Sequence, residues 1–188
     1  FLSMFDDWLT LNTCTPSMNS NTHPFLADLS SEVLGEGFID CSFDNLVFED
    51  GTLKLIDDEW SASGGVNVDL AIARAMHKLS HSVIQSGSKL PWSSNMTIEH
   101  LNNKFIEMFP RNLRVDLLSD FYLAEAKLLS VLLDGSEVDH LEDLYEANRR
   151  SVNSTFSIHS PQATFRSKFS WLKRFPGGRL LARWTRPR

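Results

Sequence analysis

The sequence has no uninterrupted apolar run of the length needed to cross a bilayer, which is about 18 residues or more. Its most apolar stretch, residues 121–133, is broken by Glu125 and Lys127. It has only two cysteines, Cys14 and Cys41, and no C-x-x-C spacing, so we expect neither a zinc site nor a disulfide framework. These absences predict a soluble or membrane-peripheral protein, and the cysteine usage favours the cytoplasm.

Motifs of several enzyme classes are also absent. The sequence has no G-x-S-x-G nucleophile elbow, and it identifies no partner that would activate a cysteine nucleophile. It has no glycine-rich phosphate loop and no strand lysine of the V-A-I-K type. Gly35-Glu36-Gly37 and Gly64-Gly65 are too short and wrongly placed to serve as a phosphate loop. The chain begins at Phe1 without a signal-peptide pattern, so we expect a fragment of a longer protein.

The charge of the chain is unevenly distributed. Of its 188 residues, 42% are hydrophobic and 22% charged, as in a globular domain with a core. Residues 164–188 hold eight of the 18 Lys and Arg residues and no Asp or Glu, about +8 in total. The remaining 10 basic and 24 acidic residues give about −14, which argues against a nucleic-acid partner. The tail interleaves aromatic and basic side chains, so it is either a contact for an anionic membrane or a partner, or a disordered terminus.

Apolar residues at three- and four-residue spacing predict five helices, over residues 1–12, 68–85, 97–108, 112–133 and 137–150. Thr97 and Ser136 stand at the expected N-cap positions. A short helix is expected around residues 24–34, after a polar loop over residues 13–23. The helical period fades from residue 151 onward, which predicts one lobe over residues 1–150 and a connector with the basic tail over residues 151–188.

A β-hairpin is predicted in the middle of the chain. Asp50-Gly51 lies between two apolar runs, residues 46–48 and 53–56, and this dipeptide suits the positive φ angles of a type I′ turn. Together with the helices, the hairpin predicts an α+β fold that is mainly α.

Three polar residues flank this hairpin. Asp40 precedes it, Asn45 follows five residues later at the first strand, and Asp57 comes directly after the second strand. Phosphoryl transfer needs a carboxylate to orient the acceptor hydroxyl and oxygen ligands to hold Mg²⁺ against the phosphates. The spacing Asp-x-x-x-x-Asn is that of a kinase catalytic loop. The sequence therefore predicts that these side chains converge at one end of the hairpin.

Two motifs extend this likeness to a family. Residues 56–60, Ile-Asp-Asp-Glu-Trp, resemble the I-D-x-E-W variant of the kinase metal motif, and residues 69–71, Asp-Leu-Ala, are similar to the Asp-Leu-Ala of aminoglycoside-phosphotransferase-like enzymes. The run over residues 69–75 resembles, more narrowly, the kinase-like domains linked to methyltransferases and glycosyltransferases of bacterial surface-polysaccharide synthesis. The resemblance covers residues 28–85 by motif and residues 97–150 by helical layout.

The resemblance implies a kinase-like C-terminal lobe, with a catalytic loop and hairpin packed on a helical bundle. It implies that Asp40 is catalytic, that Asn45 and Asp57 bind Mg²⁺ and ATP, and that Asp69 opens a helix and braces the loop. Glu59 is a further candidate metal ligand, because side chains two residues apart on a strand point to the same face.

The implied activity is transfer of phosphate from ATP to a hydroxyl of a small molecule or glycan. The implied partner is an N-terminal lobe or upstream domain that supplies the rest of the ATP site. Two alternatives stay open: a non-catalytic kinase-like module that binds a glycosyltransferase or methyltransferase, and a peripheral membrane adaptor that acts through residues 164–188. His77 and His81 lie one helical turn apart, and packing in the core is the expected role because no third metal ligand is evident.

Overall fold

The computed structural model describes residues 2–14, 24–26, 32–56, 60–62, 64–85 and 96–149. In this part of the chain the helices are α1 (Leu2–Leu11), α2 (Val68–Gln85), α3 (Ile98–Glu107), α4 (Leu117–Leu132) and α5 (Glu137–Asn148). The strands are β1 (Thr13–Cys14), β2 (Val33–Leu34), β3 (Leu46–Glu49), β4 (Thr52–Leu55) and β5 (Val66–Asn67). Short 3-10 helices cover Pro24–Leu26, Glu36–Asp40 and Phe43–Asn45. The described chain is therefore α+β and mainly helical, as predicted.

The predicted hairpin is confirmed. Strands β3 and β4 pair antiparallel, with Leu46 opposite Leu55 and Glu49 opposite Thr52. Asp50 and Gly51 form the turn with φ angles of 53° and 80°. Positive φ at both central residues defines a type I′ turn, whose twist matches that of the strands.

A small three-stranded sheet replaces part of two predicted elements. Strand β2 lies between β1 and β5 and is antiparallel to both. The prediction of a helix over residues 24–34 is wrong at its end, because Val33 and Leu34 pair on both sides and are fully buried. Residues 13 and 14, predicted as loop, form the edge strand β1. Long-range strand pairing therefore overrides the local pattern here.

The predicted helices form, and most of their limits are close to the predicted ones. Helix α2 has the predicted limits, and Ser136 and Asp139 form a complete capping box at the start of α5. Helix α4 begins at Leu117 instead of residue 112. Arg111 donates to Asp6 at 2.9 Å and to Glu32 at 3.0 Å, and these tertiary bonds hold the preceding segment outside the helix. None of the described helices is long and apolar enough to cross a bilayer.

The main apolar core joins α1, α2 and α4. Phe5 and Leu9 of α1, Ile72 and Met76 of α2, and Phe121 of α4 are all fully buried in it. Helix α2 also contacts β5 and the 3-10 turns that precede the hairpin. The core therefore supports the loop that carries Asp40 from the side of α2.

Candidate active site around Asp40

The loop between β2 and β3 is held on the core by the residues on either side of Asp40. Ile39 and Cys41 belong to the main apolar cluster, and the Cys41 amide donates to the Phe38 carbonyl at 3.2 Å. Asp40 is therefore only 7% exposed, and Asn45 only 5%. Buried polar groups need hydrogen-bond partners, so the contacts of these two side chains define the site.

Asp40 and Asn45 are in direct contact. Asn45 Nδ2 donates to the backbone carbonyl of Asp40 at 2.9 Å and to Asp40 Oδ2 at 3.0 Å. Both hydrogens of the amide are then used, which fixes the orientation of the Asn45 side chain and leaves its Oδ1 as an acceptor or metal ligand. The loop thus brings two of the predicted site residues together.

The other carboxylate oxygen of Asp40 is bonded to helix α2. Lys78 Nζ forms a charged hydrogen bond with Asp40 Oδ1, and it also donates to Ser42 Oγ at 3.2 Å. Ser42 Oγ in turn donates to Asp44 Oδ1 at 2.5 Å. One ammonium group therefore bridges the predicted catalytic carboxylate and a hydroxyl of the same loop.

Arg74, one helical turn before Lys78, holds the backbone of the loop. Its Nη1 donates to the Ile39 carbonyl at 2.6 Å and lies 3.6 Å from Asp40 Oδ1. Its Nη2 donates to Glu125 Oε1 at 3.4 Å, and its Nε lies 3.2 Å from Glu125 Oε2, an ion-pair distance without hydrogen-bond geometry. Arg74 therefore connects α4 to the loop, and the two cations balance the two carboxylates.

The hairpin returns the chain to Asn45. The Ile56 amide donates to the Asn45 carbonyl at 2.9 Å, so the chain passes beside Asn45 one residue before Asp57. Asp57 and Glu59 themselves lie outside the described residues. Within the ranges that the structure describes, no group of three or more Asp, Glu, His or Cys side chains is placed to hold a metal ion.

Asp69 is the second residue of α2 and pairs away from the loop. Its Oδ2 lies 3.7 Å from Nε of Arg114, and burial raises the pKa of Asp69, an effect that Arg114 opposes. The Oδ1 of Asn67 caps the first turn of α2 by accepting a backbone amide at 3.1 Å. The side chains of α2 that bond to the loop are Arg74 and Lys78.

Sequence reasoning did not predict Arg74 and Lys78 as residues of the site. A signal was present, because two cations four residues apart lie on one face of a helix and must meet anions if that face is buried. The sequence does not show which anions these are. Asp40 is 38 residues before Lys78, and Glu125 is 51 residues after Arg74.

Cys41 is unsuited to nucleophilic catalysis. It is buried beside Asp40, and burial raises the pKa of its thiol to about 12, against the opposing charge of Arg74. The thiolate is the reactive form of cysteine, so the Cys41 side chain acts as a small apolar group in the core.

His77 and His81 pack in the helical part of the fold, and their rings lie 4.5 Å apart. His77 is buried, with its Nδ1 3.1 Å from Asn102 Nδ2, which also donates to the Tyr122 hydroxyl at 3.0 Å. Burial, assisted by the nearby His81, lowers the pKa of His77 to about 3. The His77 ring is therefore neutral near pH 7 and serves as a polar core residue.

We expect His77→Gln to reduce the sensitivity of the fold to acid. The pKa of His77 is lower in the folded chain, about 3, than its ordinary value of 6.5, so the unfolded chain binds the proton more readily. The stabilisation from the neutral ring is complete above pH 6.5 and is lost as the pH falls toward 3, at up to about 1.4 kcal/mol per pH unit. Urea unfolding of the unsubstituted chain should therefore show a loss of about 2 kcal/mol between pH 7 and about pH 5.

The matched control for this experiment is His100→Gln. His100 is an exposed histidine on α3, so its replacement should keep the acid sensitivity of the unsubstituted chain. The same pH dependence in both variants would contradict the assigned role of His77.

Comparisons of the chain with protein-family models, with curated proteins and with solved structures give no match, so its function is inferred from the geometry around Asp40.

Proposed function

We propose that this chain contributes the catalytic loop of a kinase-like phosphotransferase, which moves phosphate from ATP to a hydroxyl of a small molecule or glycan. The observation that carries the proposal is the contact of Asn45 with both the backbone and the carboxylate of Asp40, at the base of the β3–β4 hairpin. A carboxylate and an amide oxygen held together on a rigid loop are the groups that such a reaction requires.

Asp40 orients the acceptor hydroxyl in this proposal. Each carboxylate oxygen can accept two hydrogen bonds, and Asp40 Oδ2 accepts one from Asn45. The second acceptor position of Oδ2 is available to the acceptor hydroxyl. As the hydroxyl oxygen bonds to the γ-phosphorus of ATP and ADP leaves, Asp40 takes the hydroxyl proton. Lys78 and Arg74 keep the carboxylate in one orientation during this exchange.

The residues around Asn45 fit a magnesium ion in their chemistry. Mg²⁺ prefers oxygen ligands, and Asn45 Oδ1 is left for that purpose because both hydrogens of the amide bond to Asp40. Asp57 would be the second ligand and Glu59 a third, since the chain passes beside Asn45 at Ile56. When bound, the ion would neutralise negative charge on the phosphates.

The phosphate-binding half of the ATP site lies elsewhere in this proposal. The 188 residues include no glycine-rich phosphate loop and no V-A-I-K lysine. A second lobe, from the rest of the protein or from a partner chain, would supply both. We propose that this lobe and the acceptor meet on the side of the loop that carries Asp40 and Asn45.

The test is nucleotide binding by the complete protein. At saturating concentration, MgATP should raise the melting temperature by about 5–10 °C, and ATP with EDTA should raise it much less. Asn45→Ala should remove most of the magnesium-dependent part, because it removes the oxygen ligand. Asn103→Ala changes an exposed amide on α3 and is the matched control. Equal magnesium-dependent shifts in both variants would refute the assignment of Asn45.

A second candidate function is a non-catalytic kinase-like module that binds a glycosyltransferase or methyltransferase. It is favoured by the coordination of Asp40, whose two carboxylate oxygens both accept hydrogen bonds from protein side chains. A buried ion pair of this kind also occurs as a purely structural feature. This candidate predicts no nucleotide-dependent melting shift for the complete protein, so the same experiment separates the two functions.

A further inference from the structure

Four exposed apolar side chains lie on the helical hairpin formed by α4 and α5. Val131 and Leu132 end α4, and Val138 and Tyr145 are seven positions apart on one face of α5. Val131 is 79% exposed and Val138 63%. We call these four residues the α4–α5 patch. Exposed apolar groups with a polar rim are typical of an interaction site.

The rim of the α4–α5 patch is acidic. Residues 128–148 contain no Lys or Arg, and they hold six carboxylates, at Asp134, Glu137, Asp139, Glu142, Asp143 and Glu146. Five of these residues are exposed, and Glu137 is half-buried. A segment that covers the patch would therefore have to be both apolar and basic.

Helix stability explains only some of these carboxylates. Glu137 and Asp139 are in the first turn of α5, where negative charge favours the helix, and Asp139 completes the capping box. Glu142, Asp143 and Glu146 lie beyond the first turn of α5, and Glu146 is in its last turn, where the helix dipole favours cations. In the described part of the chain none of these three forms an ion pair. The helix dipole and ion pairing therefore do not account for these three carboxylates, whereas a positively charged partner would.

The same chain contains a segment of the required composition. Residues 164–188 hold eight Lys and Arg residues and no carboxylate, and five aromatic residues stand among them: Phe165, Phe169, Trp171, Phe175 and Trp184. This segment lies outside the described residues. We propose that residues 164–188 dock on the α4–α5 patch of their own chain, with aromatic side chains on the apolar residues and basic side chains against the acidic rim.

The connection is long enough for this docking. Residues 150–163 make 14 residues between the end of the described chain and the basic segment, and 14 residues can reach about 45 Å when extended and about 20 Å even as a random coil. Helix α5 has 12 residues and is about 18 Å long. A short tether of this kind gives an effective concentration in the millimolar range, which favours the patch of the same molecule over a second copy.

Charge favours this partner over a membrane. The rest of the chain has a formal charge of about −14, against about +8 for the segment. An anionic bilayer would attract the segment and repel the rest of the chain, whereas docking on the patch brings opposite charges together. This inference is independent of the proposed phosphotransferase function.

The experiment measures paramagnetic relaxation enhancement by NMR in the whole 188-residue chain. With Cys14→Ser, a spin label is attached at Ser170→Cys, while Cys41 stays unlabelled because it is buried. In about 50 mM salt we expect the amide signals of residues 129–149 to lose at least about half of their intensity. They should recover in about 0.5 M salt, because salt screens attraction between exposed charges.

Two charge reversals locate the contact. Glu142→Lys with Glu146→Lys should remove the attenuation, and Glu99→Lys with Glu107→Lys, an equal change at exposed sites on α3, should preserve it. The proposal would be overturned if the signals were not attenuated in low salt, or if the two reversals had equal effects. It would also be overturned if the label of one molecule attenuated the signals of another. The same holds if the chain bound phosphatidylserine vesicles but showed no attenuation on α5 when vesicles were absent.

Discussion

Asp40→Asn should lower kcat for phosphate transfer by about 10²–10⁴-fold in the complete protein, with little change in KM for ATP. The amide has the size of the carboxylate but cannot accept the proton of the acceptor hydroxyl. Asp40 is 7% exposed, and Asn45 and Lys78 fix the orientation of its carboxylate. Steady-state kinetics with acceptor and ATP varied separately would measure both constants.

Asp44→Asn is the matched control, because it makes the same chemical change in the same loop. The Asp44 carboxylate accepts from Ser42 Oγ at 2.5 Å, and Ser42 Oγ in turn accepts from Lys78 at 3.2 Å. We expect its kcat to stay within about threefold of the unsubstituted protein. Activity that survives Asp40→Asn, in protein with an unchanged melting temperature, would refute the role assigned to Asp40.

Lys78→Met is expected to lower the free energy of unfolding by about 3–5 kcal/mol, the usual cost of removing one partner of a buried ion pair. The side chain of Lys78 is 26% exposed, and that of Asp40 only 10%. Without the ammonium, the Asp40 carboxylate stays buried with Arg74 at 3.6 Å and Asn45 as its partners. Urea unfolding monitored by circular dichroism would measure the loss.

Lys54→Met is the control for Lys78→Met. Lys54 pairs with Glu49 at 2.6 Å on the hairpin, but these side chains are 48% and 62% exposed, so we expect a loss of at most about 1 kcal/mol. Adding Asp40→Asn to Lys78→Met should restore part of the lost stability, because it removes the uncompensated charge. A double-mutant cycle over the two positions isolates the pair. Equal losses of unfolding free energy from Lys78→Met and Lys54→Met would contradict a stabilising role for the Lys78–Asp40 pair.

The parts of the fold that the sequence predicts are those specified by local chemistry. The turn at Asp50-Gly51 needs only two residues that tolerate positive φ, and the hairpin follows from them. Helix α2 has apolar residues at helical spacing and a capping residue, Asn67, at its start. The Asp40–Asn45 contact is also local, because five positions separate the two residues within one loop.

The parts that the sequence does not predict depend on distant contacts. Val33 and Leu34 become a strand because β1 and β5 pair with them, and α4 starts late because Arg111 bonds to α1. The roles of Arg74 and Lys78 were missed for the same reason. Spacing shows that a helix carries two cations on one face, but it does not show which buried carboxylates that face meets.

The predicted roles of Asp57, Glu59 and residues 151–188 concern positions outside the described chain, and they stay predictions. The proposed magnesium site depends most on them, because among the described residues only Asn45 would supply a ligand. The kinase-like assignment likewise remains a proposal that nucleotide binding would test.

The double attachment of Arg74 has a mechanical consequence. One guanidinium group donates a hydrogen bond to the Ile39 carbonyl at 2.6 Å and another to the Glu125 carboxylate of α4. A planar group of fixed size cannot stretch, so a displacement of α4 must either pull the backbone next to Asp40 with it or break one of these hydrogen bonds. A partner that displaces α4 would thus change the position of the Asp40 carboxylate, so α4 is coupled mechanically to the loop.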